Sequence, residues 1–283
     1  MKAAFGSNRR LQAFTLIELL IALALLGIIL AAVVYVNIGT VRASATLQAR
    51  NEMLADSQMA QNYMASKLKQ AAYVYVQGAS VVMATSGKTT LNPNGSYKWV
   101  IGTDPIVAFI MPPKSGINDP TATTSACPDT VTPATIDNDN CYYFYAFYAI
   151  KRSDLVADTG ALTRTNNPGV DGLNDPTSWV IMEYRGRYQG TGYTLTGFTP
   201  GNTGRLLLDY VAPVAAPAQL FVTPAPVVGP QPVGTTSVTI SLAVQRNVAG
   251  QIVQLPGVST DTPTGRYTQT IYPRNVGLAP LSN

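Results

Sequence analysis

Residues 13–36, AFTLIELLIALALLGIILAAVVYV, constrain this chain more than any other stretch. A bilayer core is spanned by about 20 apolar residues of helix, and Leu19 to Val36 carries no charged or strongly polar side chain. Glu18 stands near the entrance of that run, behind the basic stub MKAAFGSNRRLQ. A carboxylate at the bilayer centre costs roughly 2.5–3.5 kcal/mol on insertion scales, so its presence calls for a reason. Its shallow depth lets it reach the headgroups, which lowers that cost. From these residues alone the run is either an uncleaved signal anchor or a secretory signal cut after Ala22-Leu23-Ala24. The second is weaker, because the apolar core of a secretory signal is only about 7–15 residues long and this run continues well past that point.

Charge supports the same orientation. The formal net charge is +4, but Lys2, Arg9 and Arg10 all precede the span, and without them the 19 Lys and Arg fall to 16 against 15 Asp and Glu. The basic balance therefore reports cytoplasmic retention of the N-terminus, not a nucleic-acid surface. The chain has no histidine and only 12% charged residues, which leaves most enzyme mechanisms without their usual acids, bases and metal ligands. We read it as a non-enzyme without a cofactor.

Leader and span together resemble the class III signal of type IV pilins and pseudopilins, at Phe14, Thr15, Leu16, Ile17, Glu18, Leu19, Leu20, Ile21 and Ala22. The resemblance implies cleavage between Ala13 and Phe14 by a prepilin peptidase on the cytoplasmic side, then methylation of the Phe14 amine. It also implies that Glu18 pairs with the Phe14 amine of a neighbouring subunit during filament assembly. The family usually has Gly where Ala13 stands and Pro where Tyr35 stands, so the helix here lacks the proline kink and Gly27 becomes its softest point.

The organisation expected is a leader at 1–13, a transmembrane helix at 14–36, an amphipathic continuation of the helix at 37–76 and a β-rich extracytoplasmic domain at 77–283. The fold class is α+β, with the long N-terminal helix packed on an antiparallel sheet. The apolar stripe expected beyond the span is Ala43, Leu47, Leu54, Met64, Leu68, Ala72 and Tyr75. Expected strands are Lys98–Ile101, Ile106–Met111, Tyr142–Ile150, Trp179–Tyr188, Leu206–Val211, Leu220–Thr223, Ser237–Gln245 and Tyr267–Tyr272. Val238, Ile240, Leu242 and Val244 give one of these a single buried face, and the aromatic Tyr142–Ile150 reads as a central strand. The Pro-rich 212–234 reads as an irregular edge strand between extended loops.

Smaller constellations carry less. Cys127 and Cys141 lie close together in an exported segment and are read as a disulfide. Asp137 and Asp139 in IDNDN alternate as calcium ligands do, without the turn glycine or distal glutamate of an EF-hand, and a solvated turn is the stronger reading. VDGLND, with Asp171 and Asp175, is no stronger. SGKTT at 86–90 lacks the first glycine and following helix of a phosphate loop. Arg185 and Arg187 share one face of a strand opposite Tyr184 and Tyr188, a weak pattern for contact with single-stranded DNA.

Size and the tail VTISLAVQRN…GRYTQTIYPRN are similar to PilW-type minor pilins and the J-type minor pseudopilin of type II secretion. That resemblance implies a subunit that initiates or tips a type IV pilus or competence filament, with a type II secretion pseudopilin as the alternative, and a tip adhesin or DNA-binding module as a reading of another class. A K-type tip pseudopilin would lack Glu18. The implied partners are other pilin subunits, the prepilin peptidase, an inner-membrane assembly platform and membrane lipid. The implied location is the inner membrane, single-pass with its C-terminal domain outside the cytoplasm, then the filament.

Overall fold

A computed structural model of the protein describes residues 15–113, 142–158, 167–188, 204–214, 219–224, 237–257 and 265–276. The first element is helix α1, Leu16–Lys69, of 54 residues. No proline interrupts it, and Gly27 and Gly39 are its only glycines. The chain divides into two compact units, one ending at Gln48 and one beginning at Ala49.

In the first unit no helical residue from Leu16 to Gln48 is buried, and side chains such as Leu19, Ile28 and Val36 are mostly exposed. A helix that is apolar all round and unburied suits lipid or other helices rather than water. It is the one helix among the described residues long and apolar enough to cross a membrane.

In the second unit α1 buries Ala49, Met53, Ser57, Ala60, Met64, Ala65 and Leu68, spaced by three or four residues along one face. Of the stripe expected from sequence, Met64 and Leu68 lie in this face, Leu54 is partly buried and Leu47 is exposed. The buried face is built largely of small residues, and large apolar side chains alone do not mark it. The helix also stops at Lys69, short of the expected Val76. Gln70 and Ala71 close its last turn with bonds to Lys67 O and Leu68 O, and Ala72 N–H then donates to Ile110 O at 2.8 Å. From there the β-prone AYVYV prefers a sheet, and Tyr73–Val74 forms β1.

Eleven further strands follow. They are β2 (Ser80–Val82), β3 (Lys98–Val100), β4 (Ile106–Met111), β5 (Tyr143–Lys151), β6 (Trp179–Arg187), β7 (Arg205–Val211), β8 (Phe221–Val222), β9 (Val238–Leu242), β10 (Val244–Val248), β11 (Gln251–Leu255) and β12 (Tyr267–Ile271). A one-turn helix α2, Arg152–Val156, follows β5. The main sheet has the order β1-β4-β5-β6-β7-β10-β11, and its pairings are antiparallel. A three-stranded sheet has the order β12-β9-β8, and β2 pairs with β3.

Strand β5 is central, as its aromatic content foretold, and eight of its nine residues are buried. Tyr143, Tyr145, Phe147 and Ala149 join a core with α1 and the three-stranded sheet. Phe144, Ala146, Tyr148 and Ile150 join a second core with Val81, Met83 and Trp99 from the β2–β3 region. Strand alternation thus divides one aromatic run between two cores.

The other expected strands are present with ends shifted by at most one residue, except that Ser237–Gln245 is split at Ala243 into β9 and β10. Its expected buried face, Val238, Ile240, Leu242 and Val244, is buried throughout. Leu220–Thr223 shrinks to the two-residue edge strand β8. Strands β1, β2 and β11 were not foreseen.

Gly204 lies where backbone and side chain meet closely: a Cβ there would overlap the hydroxyl of fully buried Tyr148 and sit 3.2 Å from Thr89 O. That hydroxyl donates to Thr89 O at 2.8 Å. Gly204→Ala should therefore cost about 1–3 kcal/mol through overpacking. Thermal unfolding of the detergent-solubilised full chain, followed by near-UV circular dichroism, measures it; an unchanged melt would show that the site relaxes freely.

Candidate functional site

Thr15 and Glu18 stand three residues apart at the start of α1, the spacing of a capping box. The Thr15 N–H and the Thr15 hydroxyl both donate to Glu18 Oε2, each at 2.9 Å. Glu18 N–H donates back to Thr15 Oγ1 at 3.4 Å. The first turn of an apolar helix otherwise presents bare N–H groups, and a cap of this kind contributes about 1 kcal/mol. The carboxylate also sits at the positive end of the helix dipole. Both local bonds fall on Oε2, and among the described residues Oε1 accepts none. The signal for this box, Thr-x-x-Glu before an apolar run, is plain in the sequence, yet Glu18 was read only through its expected partner in a neighbouring subunit.

Other sequence-derived positions divide in two. Ala13, Phe14, Cys127, Cys141, Asp137 and Asp139 lie outside the described residues. Arg185 and Arg187 are described, on the half-buried face of β6, while Tyr184 and Tyr188 are buried on the other. The aromatic partners of Arg185 come from the neighbouring strand: its guanidinium lies 4.5 Å from the Tyr143 ring centre and 5.8 Å from that of Tyr145. Lys67 of α1 lies over Tyr63 and Tyr145 at 5.6 and 5.5 Å, and Tyr63 donates to Glu183 Oε1 at 2.8 Å. These contacts tie α1 to β5 and β6.

SGKTT is a packed loop. Lys88 N–H donates to Asp158 Oδ2 at 2.6 Å, and the Thr89 and Thr90 carbonyls accept from Tyr148 and from Trp99 Nε1, each at 2.8 Å. A carboxylate already holds the backbone donor that a phosphate would use.

The acidic turn at 171–175 belongs to a network that sequence reading missed. Buried Arg152 donates from Nε to Asp209 Oδ1 at 2.9 Å, from Nη2 to Asp209 Oδ2 at 3.2 Å, and from Nη1 to Asp175 Oδ1. Tyr210, at φ 57, has the Arg152 guanidinium 5.0 Å and that of Arg246 4.7 Å from its ring centre. Its hydroxyl donates to Asp171 Oδ2 at 3.0 Å, and Asn174 Nδ2 donates to the same oxygen at 2.9 Å. Arg246 in turn lies 3.5 Å from Glu52 of α1. These partners are 23 and 57 residues from Arg152, so no local motif announces them. The carboxylates are committed to protein donors, and no group of three metal-ligating side chains occurs among the described residues.

Burial pushes the Asp171 carboxyl up, but hydrogen bonds from Asn174, Tyr210 and Leu173 N–H, with the Arg152 charge, outweigh it and hold the group below its usual range. A carboxyl lowered in the fold adds stability above its unfolded value near 3.9 and loses it as pH falls through the folded value. Asp171→Asn should thus lower stability at pH 7 and flatten the acid limb of the stability curve below about pH 4. Urea midpoints from pH 2 to pH 7 test this; parallel curves for both proteins would contradict it.

A scan of protein families matches residues 8–34 to the prokaryotic N-terminal methylation motif. Comparison with curated proteins and with solved structures found no match. The motif covers the end of the leader, the capping box and all but the last two residues of the apolar run, and it supports a prepilin-like protein of the type IV pilin and pseudopilin kind.

Proposed function

We propose that the chain is a minor pilin that helps initiate or tip a type IV pilus or competence filament. In this reading it is cut between Ala13 and Phe14, methylated at the Phe14 amine, and stored in the inner membrane until assembly. The observation that carries the reading is the Thr15–Glu18 box at the head of an unburied apolar helix. Thr15 holds one carboxylate oxygen, so the group is pre-positioned, and Oε1 is left to accept from a charged amine of an adjacent subunit. Such a pair is tolerated in lipid because each charge offsets the other's burial. The same chemistry would serve a minor pseudopilin of type II secretion, since it specifies assembly and not the machine. The large β-rich body favours a low-abundance subunit. Cys127 and Cys141 are proposed to be bonded in the exported domain.

Two measurements test this. Intact mass spectrometry of membrane or sheared-filament material should give a chain beginning at N-methylated Phe14; a chain beginning at Met1, or after Ala24, would sink the reading. The second compares the ratio of membrane-pool to filament-bound protein for the wild type, Glu18→Ala and Glu18→Gln. Gln preserves a capping box but carries no charge. If the charge is what assembly needs, both variants insert in the membrane and neither enters filaments. If Gln assembles as the wild type does, Glu18 acts as a helix cap alone.

A further inference from the structure

Ser241 N–H donates to Leu220 O, and Ala243 O accepts from Ala212 N–H, both at 2.9 Å. Residues two apart in an extended strand point their backbone groups to the same side, so β7 and β8 both flank one side of a continuous β9–β10 line. Strands β12 and β11 pair along the other side, Tyr267 with Leu242 and Leu255 with Val244. Among the described residues β11 pairs with β10 alone and β12 with β9 alone. Among the described residues QIVQL and YTQTI therefore line sheet edges that no further strand covers.

Neither strand contains a charged residue or a proline. Natural edge strands usually carry such residues to prevent edge-to-edge pairing. The β10–β11 hairpin closes through Ala249 and Gly250, at φ 51 and 84, with Val248 opposite Gln251. That two-residue turn makes Gln251, Val253 and Leu255 bond inward to β10 and turns the backbone groups of Ile252 and Gln254 outward. Ile252 is 67% exposed.

We propose that β11 is a strand-pairing site for a second copy of this chain, continuing the main sheet across two subunits. Antiparallel pairing centred on Val253 sets Ile252 of each copy opposite Gln254 of the other, with their outward N–H and C=O groups exchanged. No charge meets a charge in that register. On the strand behind, Arg246 lies opposite Val253 and faces Glu52. A two-fold contact needs only to complement itself, whereas choosing a foreign strand needs charges or pockets that this edge lacks. A five-residue contact is short, and anchoring in one membrane confines copies of the chain to two dimensions, which favours their meeting, a condition that rests on the anchored reading above.

The test uses the full chain in membranes, with the photo-crosslinking residue p-benzoylphenylalanine at exposed Gln251 and, as control, at exposed Asn94 in the turn before β3. Illumination should give a band at twice the subunit mass from the first position and none from the second. Ile252→Pro removes an outward donor where an edge strand tolerates proline. It should abolish the band and leave the thermal melt unchanged. No band, a band that survives Ile252→Pro, or adducts only with a different protein would overturn the proposal. The N-terminal mass is read separately, so failure here is distinct from failure of the prepilin reading.

Discussion

Burial of β5 on both faces is the constraint from which the rest of the folded unit follows. Eight consecutive buried residues, five of them aromatic, need apolar cover above and below the sheet. Helix α1 and the three-stranded sheet supply one cover, and the β2–β3 region supplies the other. Ring contacts such as Trp99–Tyr148 at 5.0 Å and Phe144–Tyr184 at 5.9 Å are edge-on, a geometry worth about 0.5–1.5 kcal/mol beyond area burial. The tyrosines bring hydroxyls inward, and these find loop carbonyls: Tyr148 on Thr89 and Tyr184 on Met83. The loops are therefore fixed by the core's own polar atoms, and this is what turns SGKTT into scaffold.

The same helix meets two different solvents. Up to Gln48 no side chain is buried, and from Leu19 to Val36 the apolar surface is continuous; from Ala49 only a narrow face is buried, and small residues dominate it. The head of the helix brings a third requirement, because its unbonded N–H groups would face an apolar medium. Thr15 and Glu18 meet it within one turn. A carboxylate that looks expensive in a membrane is thus partly offset by the helix it begins, before any neighbouring subunit contributes.

Patterns of period two were legible in the sequence, and so was the signal at the N-terminus. Strand β4 has the expected limits, β5 is central, and the Val238–Val244 face is buried as alternation required. The helical stripe was legible at Met64 and Leu68 and missed at Ala49, Ser57 and Ala60, which carry little hydrophobic signal. The helix end was misplaced because Ala72 and Tyr75 continue the apolar stripe, whereas the β-prone run they belong to pairs with the sheet from the Ala72 N–H bond to Ile110 O onward. Strand β11 carries no alternation and is defined by its turn. At the site, the Thr-x-x-Glu spacing was available and its local meaning was overlooked. The Arg152 network was not available at all, because its members come from five separate stretches of chain.

That network stands at the end of the sheet where β5, β6, β7 and β10 converge, and it includes Glu52 from the early part of the buried helix. An apolar plug there would have to accept Tyr210 in a left-handed backbone conformation, at a cost of about 1–3 kcal/mol. Here Asp209 Oδ1 accepts the Tyr210 N–H at 2.7 Å while also binding Arg152, so one carboxylate holds both the unusual backbone and the buried cation. Tyr210 then brings its ring within about 5 Å of two guanidinium groups and its hydroxyl onto Asp171. Removing Arg152 would leave Asp175 and Asp209 facing each other without the charge that balances them, whereas removing Arg246 would loosen only the outer side of the ring. The order of importance runs inward from the helix, because each step toward Arg152 loses water and gains partners.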